Sequence, residues 1–403
     1  MPLSPITPAE HTATGQRQTP PAARRPLRLP LDPLLTLAVI GLGICSVVTL
    51  GAATRHLIPG NPRYYVDRQT VYLAVGIVIM LIASRIDYGA LRRYRNGIYI
   101  ALILSILAVL GAGHSAEGAT RAIRFPLFSF QASEIGKVLL TVALAALVVD
   151  RARHLRERET TIRVMIAALI PAMLVIAQPD LGSGLVYMTI AFMVLFVAGT
   201  SWKHLGALVA LVLVSGTFVL VAAPAAGVHL LKPYQVQRLT AFLNPSANPK
   251  KEGWQQLESK IAIGSGQKTG RGLSSTQTSE GFVPESQTDF IFADVGERYG
   301  FVGAGLVLLL YGLLISRALR IVVMSKDLYG SLIAAGVTAM LMFQVFVNVG
   351  MTIGIMPITG VTLPLMSYGG SSVIATLLAV GLLQSIYVRA RASAALKGRV
   401  PRF

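Results

Sequence analysis

The chain has 403 residues, of which 53% are apolar and 13% are charged, and that charged share is about half the usual value for a globular protein. The mean hydropathy of +0.63 excludes an ordinary soluble enzyme and an intrinsically disordered protein, and it indicates a polytopic membrane protein. The formal net charge of +18 would suggest nucleic-acid binding in a soluble protein, so the placement of the basic residues decides its meaning.

The two ends of the chain differ from everything between them. Residues 1–33 are rich in proline, threonine and arginine and have no apolar period, which predicts a disordered cytoplasmic tail. A signal peptide is not indicated, because the basic residues precede a full-length apolar run without a cleavage-like site. Residues 392–403 predict a second, basic cytoplasmic tail.

Ten apolar runs lie between these tails, and each is close to the ~20 residues that one membrane span requires. They cover residues 34–53, 70–86, 97–113, 133–149, 163–178, 181–199, 204–223, 301–322, 330–353 and 370–388. We therefore predict an all-α polytopic membrane protein whose transmembrane domain, residues 34–391, has ten transmembrane helices.

The basic residues are unevenly divided between the two sides of this topology. The short outer connections carry only Arg55, Arg63, Arg68, Arg121 and Arg124, with Lys137 just inside a span. The inner connections and the C-terminal tail carry Arg85, Arg92, Arg93, Arg95, Arg151, Arg153, Arg156, Arg158, Arg163, Lys203, Arg317, Arg320, Lys326, Arg389, Arg391, Lys397, Arg399 and Arg402. This asymmetry follows the positive-inside rule and predicts a multi-pass protein of the cytoplasmic (inner) membrane with both termini in the cytoplasm. Orientation in the membrane and attraction to anionic lipids therefore explain most of the net charge, and we expect no nucleic-acid partner.

One outer connection, residues 224–300, is unusually long. Connections of more than ~15 residues are usually functional or disordered, and the motifs Phe-Leu-Asn-Pro (242–245) and Thr-Asp-Phe-Ile-Phe (288–292) favour function. We expect a large extracytoplasmic loop between the seventh and eighth spans. Its glycine-rich stretch, 264–272, lacks the Walker spacing, so it predicts a flexible turn near a phosphorylated lipid and no nucleotide or other organic cofactor.

Asp180 stands between two apolar runs, in Gln-Pro-Asp-Leu-Gly (178–182), at the outer membrane face. One interpretation is a helix N-cap, in which the carboxylate accepts from the first free amides of the helix that begins at Leu181. The other is a general base, because a carboxylate beside hydrocarbon is partly desolvated. The two interpretations are compatible.

A second polar group precedes and enters the fourth span. Ser133 is a candidate cap for that helix, and Glu134 and Lys137 are spaced i,i+3, so they can pair on one face. Either the pair is a buried lock between helices, or Lys137 serves a site, because a lysine inside a membrane is costly. In the second case Lys137 and Arg121 would hold an anionic group such as a diphosphate.

Paired prolines and glycines interrupt the helical pattern in residues 356–372. Irregular backbone at membrane depth is tolerated only where it is buried in protein or lines a cavity, and we expect a cavity here. Asp289, Asp294 and Glu297 approach the eighth span, where they are either solvated or paired, or part of the site.

Five motifs in this order resemble the SEDS family of RodA-, FtsW- and SpoVE-like proteins over residues 34–391. They are Gln-Pro-Asp-Leu-Gly (178–182), Arg-Leu-Thr-Ala-Phe-Leu-Asn-Pro (238–245), Ser-Lys-Ile-Ala-Ile-Gly-Ser-Gly (259–266), Thr-Asp-Phe-Ile-Phe (288–292) and Leu-Pro-Leu-Met-Ser-Tyr-Gly-Gly-Ser-Ser (363–372). The stretch Asn-Val-Gly-Met (348–351) is most similar to RodA-type members, with FtsW-type members second.

The resemblance implies a peptidoglycan glycosyltransferase that polymerises lipid II, a disaccharide-pentapeptide on undecaprenyl diphosphate, beside a class B penicillin-binding protein. It places the catalytic aspartate at Asp180. The substrate-binding residues that we expect are Arg121, Lys137, Glu134, Ser265, Gln267, Asp289, Ser367 and Tyr368. We expect a role in cell elongation and rod shape; the alternatives are a division-specific FtsW homologue, a lipid II flippase or other transporter, and a scaffold for the penicillin-binding protein.

The chemistry of this reaction defines what the site must contain. An α-linked diphosphate donor gives a β-1,4 product, so the transfer inverts configuration and needs one base on the acceptor hydroxyl. We assign Asp180 as that base. Lys137 and Arg121 would stabilise the departing diphosphate, with Mg²⁺ or Mn²⁺ as candidate helpers, and Glu134 would orient Lys137.

Overall fold

The computed structural model describes residues 31–55, 57–58, 60–112, 114–116, 119–124, 129–218, 252–272, 275, 278 and 286–396. In chain order these residues form α1 (Pro33–Ala53), α2 (Tyr64–Arg85), α3 (Tyr88–Leu91), α4 (Arg95–Ala112), β1 (His114–Ala116), β2 (Ala119–Arg124), β3 (Ser129–Phe130), α5 (Ala132–Asp150), α6 (Arg158–Ala177), α7 (Leu181–Val197), α8 (Trp202–Thr217), α9 (Glu252–Ser265), α10 (Ile291–Met324), α11 (Leu328–Ile353) and α12 (Gly370–Leu396). Two single 3₁₀ turns, Arg92–Tyr94 and Ala152–His154, join neighbouring helices.

The helices are those of a polytopic membrane protein, as the sequence predicts. Eight helical stretches in the described part of the chain are long and apolar enough to cross a membrane. Two further apolar helices, α7 and the Trp202–Ser215 part of α8, are shorter than the other spans. The all-α polytopic class is therefore confirmed, and the count of ten spans stays a prediction.

The core of the bundle is formed by α5, α11 and α12. Their most apolar stretches are 78%, 78% and 83% buried, against 17% for the stretch that contains α4. α12 packs along α2, and a side chain at Gly381 would put its Cβ 2.8 Å from the carbonyl oxygen of Met80. Small residues of this kind let transmembrane helices approach closely.

A buried ion pair ties the beginning of α1 to α10. Asp32 caps α1, and its carboxylate accepts from Arg317 Nε at 3.1 and 3.2 Å. Asp32 N–H also donates to Gln384 Oε1 of α12 at 2.8 Å. Arg317, expected among the inner connections, is thus buried within a helix, and Asp32, expected in the N-terminal tail, caps α1.

The structure differs from the expected topology at three places. Residues 114–130 contain a small antiparallel sheet in the order β1-β2-β3, which the sequence did not predict. Backbone pairing between β1 and β2 and between β2 and β3 supplies hydrogen bonds that a bare loop at the membrane boundary would lack. α12 continues to Leu396, beyond the expected start of the tail at residue 392. α10 begins at Ile291, ten residues before the expected span.

α10 is bent one residue before the expected start of the eighth span. Gly300 has φ 61° inside the helix, a left-handed conformation that glycine adopts without strain. A Cβ there would lie 2.4 Å from Gly270 N, so the glycine-rich turn after α9 packs directly against the bend.

The long outer connection is described in part. α9 packs against α10 and α11, so this portion is folded onto the bundle. The motif at 242–245 and residues 1–30 and 397–403 of the two tails lie outside the described residues, and the predictions for them stay predictions.

Candidate active site

Asp180 is the N-cap of α7, as one of the two interpretations predicts. Its Oδ1 accepts from the Ser183 N–H at 3.1 Å. Its Oδ2 accepts from Ser133 Oγ at 2.9 Å and from Gln131 Nε2 at 3.2 Å. The residue is 6% exposed. Three donors thus hold one buried carboxylate in place.

The corner between α6 and α7 is packed too tightly for Asp180 to move freely. Gln178 donates to the Ile106 carbonyl oxygen of α4 at 2.7 Å. A Cβ at Gly182 would lie 2.9 Å from the carbonyl oxygen of Thr359, so α7 begins directly against the irregular 356–369 segment. That close approach requires glycine at residue 182.

Ser133 does not cap its own helix, and that expectation is wrong. α5 begins at Ala132 after Gln131, with no side-chain cap, and Ser133 lies within the first turn. Its hydroxyl donates instead to Asp180. The physical reason is that α5 begins at Ala132, earlier than a cap at Ser133 requires, so this residue has helical backbone and its hydroxyl can donate across to the carboxylate.

The predicted Glu134–Lys137 pair is confirmed. Lys137 Nζ donates to Glu134 Oε1 at 2.7 Å, and the two residues are 1% and 5% exposed. The carbonyl oxygen of Ser133, one turn away on the same helix, accepts from Tyr187 OH at 3.1 Å. Forming such a pair costs free energy because both charges leave water, and removing one partner leaves the other charge buried and unpaired. Both residues are therefore strongly constrained.

Arg121 lies in β2, which leads through β3 to the start of α5. β2 pairs with β3 through Ile123↔Phe130 and Arg124↔Ser129. The side chain of Arg121 is outside the described part of the structure, so its place in a site stays a prediction.

The hydroxyl of Ser371 joins the start of α5 to the start of α12. Ser371 Oγ accepts from the Gln131 N–H at 3.0 Å and donates to the Ser129 carbonyl oxygen at 2.6 Å. Ser371 is part of the motif at 363–372, and Gln131 stands two residues before the fourth apolar run, but neither was given a role. The signal that could have marked them is a polar side chain at the beginning of an apolar run.

Ser367 and Tyr368 connect that region to the turn before α10. Ser367 Oγ donates to the Thr288 carbonyl oxygen and accepts from the Leu363 N–H at 2.8 Å, and Tyr368 N–H donates to the Gln287 carbonyl oxygen at 2.9 Å. The Tyr368 ring packs edge-on against Tyr65 with centroids 4.8 Å apart. Burial raises the pKa of the Tyr368 phenol well above its ordinary value, so the group stays protonated.

Asp289 is fixed through its backbone. Asn348 Nδ2, fully buried on α11, donates to the carbonyl oxygens of Asp289 and Val361 at 2.8 Å each. The Asp289 residue is half-buried. These contacts bring four segments to one end of the bundle, which we call the polar rim: residues 129–133, 178–183, 286–290 and 359–372.

Ser265 and Gln267 lie in another part of the outer connection. Ser265 Oγ donates to the Ala262 carbonyl oxygen at 2.8 Å, and the Gln267 carbonyl oxygen accepts from the Phe301 N–H at 2.8 Å. No contact between residues that the structure describes joins either of them to Asp180. The expected grouping of these two with the rim therefore stays a prediction.

The Asp180 carboxylate already accepts three hydrogen bonds, which leaves little of its acceptor capacity for a metal ion. Within the described ranges, no group of three or more His, Cys, Asp and Glu side chains could hold a metal ion. The metal-dependence of any reaction here is a separate question, since a divalent ion can arrive with a diphosphate substrate.

Comparison with known proteins places the chain among cell-wall enzymes. The family model for the FtsW, RodA and SpoVE cell cycle proteins matches residues 31–392. The chain is 36% identical over 402 residues to a protein named probable peptidoglycan glycosyltransferase FtsW from Thioalkalivibrio sulfidiphilus, covering 97% of each chain. It is 35% identical over 358 residues to the peptidoglycan glycosyltransferase MrdB of Escherichia coli, covering 89% of this chain and 93% of that one.

Two solved structures are similar to the whole fold. One, described as structural coordination of polymerization and crosslinking by a peptidoglycan synthase complex, matches with a TM-score of 0.76 and 32% identity over 90% of this chain and 99% of that chain. The other is the rod shape determining protein RodA of Thermus thermophilus, with a TM-score of 0.63 and 28% identity over 90% and 98%.

Proposed function

The chain belongs to the FtsW, RodA and SpoVE family of cell cycle proteins, and we propose that it is a peptidoglycan glycosyltransferase. It polymerises lipid II into β-1,4 glycan strands at the outer face of the cytoplasmic membrane. Support comes from the family match along nearly the whole chain and from the names of the relatives. The observation that carries the mechanism is the Asp180 carboxylate at the polar rim, held by donors from two helices.

Asp180 acts as the base on the acceptor 4-hydroxyl. Its three donors fix the position of the carboxylate, which a base needs in order to reach the proton of the hydroxyl. The Gln131 amide makes the longest of the three bonds, 3.2 Å, and belongs to a half-buried residue. We assign this position to the acceptor hydroxyl, which replaces the amide when the substrate binds. Ser133 and Ser183 then hold the carboxylate in place.

Lys137 supplies positive charge for the departing diphosphate, together with Arg121 from β2. Glu134 fixes the ammonium group of Lys137 at 2.7 Å, and a preorganised cation stabilises charge that develops in the transition state. The diphosphate competes with Glu134 for this ammonium group. Its attraction to Lys137 therefore becomes stronger as negative charge accumulates on the leaving group. Mg²⁺ or Mn²⁺, if one arrived with the substrate, would neutralise part of the diphosphate charge.

The remaining predicted substrate contacts lie at the edge of the rim and beyond it. Asp289, Ser367 and Tyr368 belong to segments joined by hydrogen bonds and would contact the sugars and peptide. Ser265 and Gln267 would contact the lipid-linked substrate from the glycine-rich turn. Ser367 contributes to the shape of the site and not a hydrogen bond to substrate, because its hydroxyl already donates one hydrogen bond and accepts another.

The partner that we propose is a class B penicillin-binding protein, which crosslinks the product. A structural relative belongs to a complex that couples polymerization and crosslinking. We further propose the elongation role, which rests on the Asn-Val-Gly-Met stretch (348–351). The similar proteins include both FtsW-named and RodA-named members, and copurification of the native complex distinguishes an elongation partner from a division partner.

Synthesis of polymer by the purified full-length protein tests this function. Detergent-solubilised, labelled lipid II is supplied, so no membrane has to be crossed. The wild-type chain and the variant Asp67→Asn, an exposed carboxylate in the first turn of α2, are expected to make glycan polymer, whereas Asp180→Asn is not. Wild-type protein that makes no polymer alone or with its partner, but moves lipid II across liposomes, would replace the enzyme with a flippase. Full activity in Asp180→Asn would indicate that another group is the base.

A further inference from the structure

Two adjoining cavities lie at the end of the bundle opposite to Asp180. The first, about 480 Å³, is lined by Gly89, Arg92, Arg93, Arg95, Asn96 and Asp150. The second, about 350 Å³, lies between α4 and α6 with α5 behind it, and Arg95 and Asn96 line it as well. Because Ser133 and Asp150 are at opposite ends of α5, these cavities are separated from the polar rim by the length of that helix.

The first cavity has an excess of positive charge. Its wall carries three arginines and one carboxylate. Arg92 donates to Asp150 Oδ1 at 2.7 Å, and Arg95 pairs with the same carboxylate. Arg93 forms no hydrogen bond or ion pair with any residue in the described ranges, and it is exposed. Asp150 thus holds two guanidinium groups in place without neutralising the cavity, an arrangement suited to a phosphate.

The second cavity is an apolar groove. Apart from Arg95, Asn96 and Arg163 at its mouth, it is lined by Tyr99, Ala143, Leu144, Leu147, Ile166, Ala167 and Ile170. From Arg163 to Ile170 the helix α6 advances about 10 Å, so the groove follows the helices away from the arginines toward the middle of the membrane. Its lining suits a hydrocarbon chain.

We propose that the two cavities form one binding site for an anionic phospholipid of the membrane leaflet on this side. The phosphate binds among Arg92, Arg93 and Arg95, and one acyl chain lies in the groove between α4 and α6. The acyl chain gains little free energy on binding, because it moves from the hydrocarbon of the bilayer to the hydrocarbon lining of the groove. The head group therefore provides the discrimination between lipids, and basic pockets between transmembrane helices are suited to it. This inference is independent of the proposed catalytic function.

Lipid competition in nanodiscs tests the proposal. Full-length protein is reconstituted with equal parts of phosphatidylglycerol and phosphatidylcholine, extracted gently, and the retained lipids are counted by native mass spectrometry. Wild-type protein is expected to retain phosphatidylglycerol preferentially. Arg93→Gln is expected to lower that preference about 5-fold, the value of one arginine near a membrane surface. This variant removes no contact within the described structure, so a loss of folding does not explain a positive result.

Two controls separate the site from general charge and from a free phosphate. The double variant Arg153→Gln/Arg156→Gln removes two exposed charges from the connection between α5 and α6, outside both cavities, and is expected to keep the preference. Ala167→Phe fills the groove without a change of charge and is expected to release the lipid. The proposal would be overturned if the preference for phosphatidylglycerol fell in Arg153→Gln/Arg156→Gln as much as in Arg93→Gln, or if it survived Ala167→Phe. It would also be overturned if glycerol phosphate, at the same concentration as the lipid, abolished the preference.

Discussion

Asp180 and Asp289 are two carboxylic residues of the same polar rim, and the fold holds them in opposite ways. Asp180 is held by its side chain, which accepts from Ser133, Gln131 and the Ser183 amide. Asp289 is held by its backbone, through the bond from Asn348 to its carbonyl oxygen. The first residue is buried and the second is half-buried. The comparison teaches that the carboxylate which we propose as the base is itself held by the fold, whereas the bond from Asn348 fixes the main chain of Asp289.

The largest effect on stability is expected beside Asp180, at Lys137. Lys137→Met leaves the Glu134 carboxylate buried without its cation, which costs about 3–5 kcal/mol. We expect a strongly lowered midpoint of thermal unfolding in detergent. The double variant Glu134→Gln/Lys137→Met removes both charges and is expected to recover most of that loss. A single variant as stable as the wild type would show that the pair contributes nothing to holding this side of the rim.

A smaller effect is expected when one donor to Asp180 is removed. Ser133→Ala takes away the bond at 2.9 Å and is expected to destabilise the protein by about 1–3 kcal/mol, because a buried charged acceptor loses a partner. Ser316→Ala is the matched control, since that hydroxyl is exposed and bonds only within α10. Equal unfolding midpoints for the two variants would mean that Asp180 does not depend on this donor.

The smallest effect is expected at Asp289. Asp289→Asn keeps the carbonyl oxygen that Asn348 binds, so the free energy of unfolding is expected to change by no more than about 0.5 kcal/mol. Asn348→Ala removes the donor to two carbonyl oxygens and is expected to cost about 1–3 kcal/mol. If Asp289→Asn destabilises the protein more than Asn348→Ala, the fold depends on the Asp289 side chain and the contrast with Asp180 is lost.

The features that the sequence predicted depend on neighbours along the chain. The apolar runs, the Asp180 cap and the Glu134–Lys137 pair are all set within one helical turn or one span, so spacing and composition reveal them. The expected start of the eighth span, residue 301, lies one residue after the bend at Gly300, although the bend itself was not predicted.

The features that the sequence did not predict join distant residues. Ser133 and Asp180 are 47 positions apart, and Asp32 and Arg317 are 285 apart. A cap assigned from local spacing failed at Ser133 because α5 already begins at Ala132, and the hydroxyl donates to a carboxylate that sequence spacing could not place beside it. The small sheet at 114–130 was missed for a similar reason: its short strands are stabilised by pairing and have no apolar pattern of their own.

The most direct test of the role of Asp180 is a steady-state comparison of Asp180→Asn with Asp289→Asn on labelled lipid II, with the folded fraction of each protein measured first. If Asp180 accepts the proton of the acceptor hydroxyl, kcat falls at least about 100-fold in Asp180→Asn, and Asp289→Asn acts mainly by raising KM. A near-normal kcat in folded Asp180→Asn, with the large loss of kcat in Asp289→Asn instead, would contradict this assignment and move the base to residue 289.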